Sequence, residues 1–274
     1  MSTNRKMRHL CRIAFMLAAC TALTFMTSCK KEEVRDQGAT IPDEVIKRLQ
    51  VIGLGTDDIQ VDPEGGYLVE GCLHMTEEQI FEQFTDLTVD GGTELEQYRT
   101  YNLVSVPGST RTIRVRGSTN LSTKMSNALN TAIARYNSEG LKLVFQRVTS
   151  GSYDILVRRN GTSTGASAGF PTSGGNPYNT VNLGSGLNNI QENTVARVIM
   201  HEMGHCIGFR HTDWFNRSLS CGTGGSEGAD PYGAVNIPGT PTGNDASSVM
   251  RACFSNGQAP TWSNYDRTAL NYLY

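Results

Sequence analysis

The string HEMGHCIGFRH, His201 to His211, constrains this chain more tightly than any other stretch of it. The protein has five histidines, and three of them fall within these eleven residues. Residues four apart on an α-helix share a face, so His201 and His205 project together and can grip one metal ion. Glu202 sits beside that pair, within reach of a proton on a metal-activated water. Gly208, three residues beyond His205, tolerates the left-handed conformation that ends a helix sharply. The chain can then turn back and deliver His211 as a third ligand. Three nitrogens with a fourth position open is the pattern of a catalytic zinc site, whereas a structural site is closed by four protein ligands.

A chain of 274 residues with 38% hydrophobic residues can bury a substantial core, as one large domain or as a catalytic domain with a small companion. A net charge of −2, with no basic stripe after the first residues, argues against nucleic acid as a partner. The N-terminus reads as an export signal, with Arg5, Lys6, Arg8 and Arg12 before an apolar run from Ile13 to Met26. That run is too short to span a membrane comfortably. The following FMTSC resembles the lipobox of bacterial lipoproteins. By that resemblance the leader ends at residue 28, Cys29 is lipidated, and the protein is exported to the outer membrane or cell surface of a bacterium. CKKEE also resembles the charged export tags of Bacteroidetes surface lipoproteins.

Residues 29–40 are polar and suit a tether. IPDEVIKRLQVIGLG reads as a short helix, IQVDPEGGYLVEGCLH as a hairpin turning at Pro-Glu-Gly-Gly, and TEEQIFEQFTDL as a second short helix. VDGGTE is the candidate boundary, which makes 41–94 a small α/β domain and 95–274 the larger one. Beyond it, YRTYNLVSV, RTIRVRG, LKLVFQRV, YDILVRR and YNTVNLG read as strands. A helix capped by Asn120 or Ser122 carries Met125, Leu129, Ile133 and Tyr136 on one stripe and stops at Gly140. The motif helix runs from about Gln191 to Gly208, and about 55 residues with little periodicity precede a terminal helix, NYDRTALNYLY. The expected class is α+β, a twisted mixed sheet with a backing helix and a metal-binding helix.

HEMGHCIGFRH is similar to the HExxHxxGxxH signature of the metzincin zinc endopeptidases. With Thr212 and Asp213 following, the string most resembles the dual-action HEIGH metallopeptidases, Met203 replacing their usual isoleucine. The resemblance implies one zinc ion on His201, His205 and His211, Glu202 as general base, and a peptide or protein substrate. It also implies that Met250, in SSVMRAC, forms the methionine turn below the metal. Ala252 stands where some relatives of that clan place a fifth, tyrosine ligand. GASAGFP, Gly165 to Pro171, resembles the sheet edge on which such enzymes lay their substrate, and equally fits a flexible loop. Asp213 is a candidate to hold the outward nitrogen of a ligand histidine. Two other classes compete: a surface binding protein keeping zinc for structure, and a zinc hydrolase of a non-peptide substrate.

Four cysteines remain once the leader and Cys29 are set aside, namely Cys72, Cys206, Cys221 and Cys253. At least one disulfide is expected among the last three, in the least regular part of the chain. Residues 41–94 look like the pro-domain by which proteases of that clan are held latent, and Cys72 within it has two readings: a latency switch whose thiolate occupies the open zinc position, or a disulfide partner of one of the others.

Overall fold

The computed structural model describes residues 40–63, 65–82, 97–227, 234–240 and 244–274. The leader, Cys29 and nearly all of the tether lie outside the described residues, as does the VDGGTE boundary.

Helix α1 (Asp43–Val51) has Asp43 and Glu44 in its first turn, where carboxylates favour the helix dipole, and buries Val45 and Leu49, four residues apart on one face. Strands β1 (Gln60–Val61), β2 (Tyr67–Val69) and β3 (Leu73–Met75) form an antiparallel sheet in that order, and α2 (Glu77–Glu82) follows. The hairpin read from the sequence is therefore a three-stranded meander. Val45, Leu49, Val69, Leu73 and Ile80 form one apolar cluster, to which Phe170 is added from much further along the chain.

The second and larger cluster lies over a five-stranded sheet. Its strands are β5 (Arg111–Gly117), β6 (Leu143–Val148), β7 (Ile155–Arg159), β8 (Ala166–Ser167) and β9 (Thr180–Leu183), ordered β6-β5-β7-β9-β8. The first four in that order run parallel and β8 is an antiparallel edge. Alternating residues Ile113, Val115, Ile155, Val157, Val181 and Leu183 are fully buried, as period-2 patterning requires of a face covered by helices. Helix α3 (Thr123–Asn137) covers it with the stripe Met125, Leu129, Ile133 and Tyr136. Ser122 is its cap, its hydroxyl accepting from the Met125 N–H. Tyr136 donates to the Met200 carbonyl at 2.8 Å, tying α3 to α4 (Glu192–Cys206). The result is the mixed α/β fold expected.

YRTYNLVSV departs from its reading. Only Tyr98–Arg99 forms a strand, β4, and it pairs with β10 (Val235–Asn236) rather than joining the main sheet. The irregular stretch after α4 contains only α5 (Ser218–Cys221) and β10 as described regular elements, before α6 (Asn264–Leu273). A disulfide, Cys221–Cys253, closes 32 residues of it, while Cys206 and Cys72 are free and buried. No described helix is long and apolar enough to cross a membrane.

Replacing Cys221 and Cys253 together by serine is expected to lower stability by about 3–4 kcal/mol, from the loop entropy restored to the unfolded chain. Calorimetry should read that as a fall in Tm of roughly 10 °C. An unchanged Tm would mean that the crosslink constrains nothing the fold does not already fix.

Candidate metal centre

Helix α4 puts His201 and His205 on one buried face, and the chain leaves it at Gly208, whose φ of +110° is the left-handed conformation expected there. A side chain at 208 would also strike Leu103, its Cβ lying 2.7 Å from Cδ2. The turn returns His211 to the pair. The His205 Nε2 then lies 3.0 Å from that of His201 and 3.2 Å from that of His211. Cys72 completes the group, its Sγ 3.1 Å from His211 Nε2 and 3.7 Å from His205 Nε2.

These short contacts are not hydrogen bonds, because the outward nitrogens fix where the protons are. His201 Nδ1–H donates to the Val249 carbonyl at 2.9 Å, and His205 Nδ1–H to the Phe209 carbonyl at 2.8 Å. A carbonyl only accepts, so each of these Nδ1 atoms carries the proton and each Nε2 presents a bare lone pair. His211 Nδ1–H donates to Glu227 Oε1 at 2.5 Å, with the same consequence. Burial pushes the pKa of His201 down to about 3 and of His211 down to about 4, and that of His205 well below the usual range. Three neutral imidazoles aim lone pairs at one point with no donor between them, a donor set that fits a cation.

Glu202 is 2% exposed and its Oε2 has no hydrogen-bond partner among the described residues. Burial raises its pKa well above the ordinary carboxylate range, as it does that of the Cys72 thiol, where Glu202, Glu227 and Glu70 add to the effect. A nearby dication acts in the opposite direction on both groups.

Met250 lies directly below α4. A Cβ on Gly204 would fall 2.5 Å from its Sδ, so the helix needs glycine there. Asp266, at the start of α6, holds this turn: it accepts from the Ser248 hydroxyl at 2.6 Å and the Val249 N–H at 2.9 Å. The Val249 carbonyl is the one that orients His201, so α6 reaches the centre through two steps.

Asp213 does not hold a ligand histidine. It accepts from the Ala252 N–H at 2.9 Å and from the Ser220 hydroxyl, bracing the segment around the disulfide. Glu227 does that work for His211, and its other oxygen takes Arg210 at 3.3 Å. Arg210 is shared with Glu70 at 3.2 Å, and Arg217 lies 3.6 Å from Glu227. Glu70, Arg210 and Glu227 are all buried. Neither glutamate stands in a local pattern that marks it; each is seen only once the fold brings it to Arg210.

The sheet edge at Gly165–Pro171 is paired on both sides. Ala166–Ser167 pairs with β9, and Ala168 forms a parallel bridge with Leu73. His74 N–H donates to the Ala168 carbonyl at 2.6 Å, and Ala168 N–H to the Cys72 carbonyl at 2.9 Å. The edge expected to be open is therefore filled by the stretch that carries Cys72.

A mixed α/β domain with a buried three-histidine centre on a helix-and-turn defines the class, a zinc metallopeptidase. Residues 68–274 match the family described as dual-action HEIGH metallo-peptidase, and the chain belongs to it. Two solved structures of myroilysin are similar, each 16% identical. One has a TM-score of 0.40 over 60% of this chain and 95% of its own, the other 0.36 over 63% and 96%. No characterised protein sequence matches this chain.

Glu227→Gln removes the charge that orients His211, and zinc affinity is expected to fall about 10- to 100-fold. Competition with a chromophoric chelator measures it. Unchanged affinity would show that His211 is oriented without Glu227.

Proposed function

We propose that this chain is a latent, exported zinc endopeptidase of metzincin type, with His201, His205 and His211 as zinc ligands, Glu202 as general base and Met250 in the methionine turn. The observation that carries the reading is the convergence of three unprotonated Nε2 atoms beside an unpartnered Glu202 oxygen. Zinc held there would supply a Lewis acid for a peptide carbonyl and for water. Glu202 would take a proton from an attacking water and pass it to the leaving amine. Val249, Phe209 and Glu227 keep the imidazoles in the tautomer that ligation needs. The Gly165–Pro171 edge holds the substrate backbone in extended form, with Ala168 offering its N–H and C=O.

Residues 41–94 act as a pro-domain on this reading, and residues 95–274 as the catalytic domain. The segregation of apolar residues into two clusters supports that division. Cys72 is the latency switch: its sulfur stands at the fourth position of the centre, and its neighbours fill the substrate edge. The approach is built rather than incidental. Glu70 adopts φ +55°, which costs a non-glycine residue of order 1 kcal/mol. It is kept there by the Gly55 N–H on its carboxylate at 2.8 Å, by Arg210, and by Arg217 donating to its carbonyl at 2.9 Å. The leader to residue 28, lipidation at Cys29 and a tether to residue 40 would place the enzyme on the outer membrane or cell surface, a reading that rests on the N-terminal sequence.

Glu202→Gln is expected to keep zinc and fold while casein hydrolysis falls by at least about 10²-fold; wild-type rates with zinc bound would displace Glu202 as the base. Cys72→Ala should let the unprocessed full chain cleave casein where the wild type does not. Its rate should stay below that of the processed enzyme, since residues 72–74 still occupy the edge. A Cys72→Ala precursor as inert as its parent would remove the switch. Abolition of all casein cleavage by a chelator, restored by zinc, tests the peptidase itself.

A further inference from the structure

A cleft of about 400 Å³ opens beside the histidines, within the range of specific ligand pockets. Ile190, Val198, Val249 and Phe254 give it an apolar wall, and Gly165 and Ala166 of the sheet edge border it. Three arginines line it as well: Arg197, Arg217 and Arg251. Against them stand two carboxylates, Glu202 and Glu70.

The arginines are unequally matched. Arg197 is 6% exposed and, among the described residues, donates to backbone carbonyls, those of Ser247, Ser248, Ala259 and Thr261. Arg251 donates to the Leu219 carbonyl at 2.5 Å, and its buried Nε has no hydrogen-bond partner among the described residues. Neither forms an ion pair among the described residues. Arg217 is matched from both sides: Asp58 lies 3.3 Å from its guanidinium and Glu70 accepts through its carbonyl, while Glu227 lies 3.6 Å away. Glu70 itself holds Arg210. Asp58 and Glu70 therefore occupy, within the chain, the place of an acidic ligand. When that stretch leaves, the cleft loses the Glu70 carboxylate, Arg217 loses Asp58, and every arginine stays. A cationic cleft with an apolar wall, partly shielded from water, favours a ligand with methylenes and a terminal carboxylate.

We propose that this cleft selects substrates with an acidic side chain next to the scissile bond, bound by Arg251 and Arg217 while the apolar wall packs its methylenes. The proposal rests on the peptidase reading above, and its test separates the two. Zinc-loaded full chain, activated by limited proteolysis, would be given internally quenched peptides in pairs that differ only by glutamate or glutamine, an isosteric exchange, at each of the two positions flanking the cleaved bond. The expected result is a kcat/KM about tenfold or more in favour of glutamate at one position, as a charge-assisted contact gives, shrinking as salt is raised. Arg251→Gln and Arg217→Gln should each lower that ratio toward unity, and Arg251→Lys should keep part of it. The ratio is insensitive to the amount of correctly folded enzyme, so a partly unfolded variant still reports. Equal rates for both members of every pair would overturn the acidic preference and leave the peptidase standing. A ratio unmoved by either glutamine variant would overturn the arginine assignment. Cleavage of no peptide and no casein would remove the peptidase reading and this inference with it.

Discussion

Three imidazole lone pairs meeting at one point, with no proton among them, is an arrangement that a folded chain must be forced into. Each Nδ1 proton has to be committed elsewhere, and the three acceptors come from three separate places: Val249 before Met250, Phe209 after the glycine turn, and Glu227 in an irregular loop. Much of the surrounding architecture exists to fix those acceptors. Asp266 holds the Val249 turn, Gly208 permits the reversal that aims the Phe209 carbonyl, and Arg210 steadies Glu227. Without a cation the mutual approach of the lone pairs is unfavourable, so metal affinity and folding are coupled here.

Around that centre the chain buries an unusual amount of charge. Glu70, Glu227 and Arg210 are almost wholly withdrawn from water, with Arg217 close by. Burying such a group stabilises little on balance, because desolvation offsets most of the attraction. Its consequence lies in what happens when one member departs. Burial, with Glu227 adding to it, lifts the Glu70 carboxyl to a pKa of about 8 against the opposing pull of Arg210. Withdrawing the stretch takes the Glu70 carboxylate from Arg210 and the Asp58 carboxylate from Arg217. On the proposed reading, activation therefore rewrites the electrostatics of the cleft as well as opening a coordination position.

Local patterns carried part of this structure and could not carry the rest. The i, i+4 histidines, the helix-ending Gly208 and the stripe from Met125 to Tyr136 each follow from a period or a single backbone demand within a few residues, so the sequence displays them. Strands β5, β6, β7 and β9 were legible for the same reason, since each alternates buried residues. Tyr98–Arg99 was read too long because its pairing partner, Val235–Asn236, lies far along an aperiodic stretch. The sequence offers Asp213 for the orienting role and leaves Glu227 and Asp266 unmarked, because orientation of a histidine by a carboxylate depends on tertiary contact, which proximity in sequence does not report. Cys72 was legible as a question. Its chemistry allowed a ligand or a disulfide, and the parallel bridge from Leu73 to Ala168 puts its sulfur among the histidines.

On the proposed reading the block has several parts. The thiol lies 3.1 Å from His211 Nε2, two backbone hydrogen bonds fill the sheet edge at Ala168, and Glu70 and Asp58 engage Arg210 and Arg217. Chemical modification of the thiol removes only the first. The edge and the ion pairs then still hold the stretch in place, the Glu70 pair through a residue of strained φ. On the proposed reading, releasing Glu70 would relax the strained backbone two residues before Cys72, so loss of the buried charge pair would weaken the hold on the thiol as well.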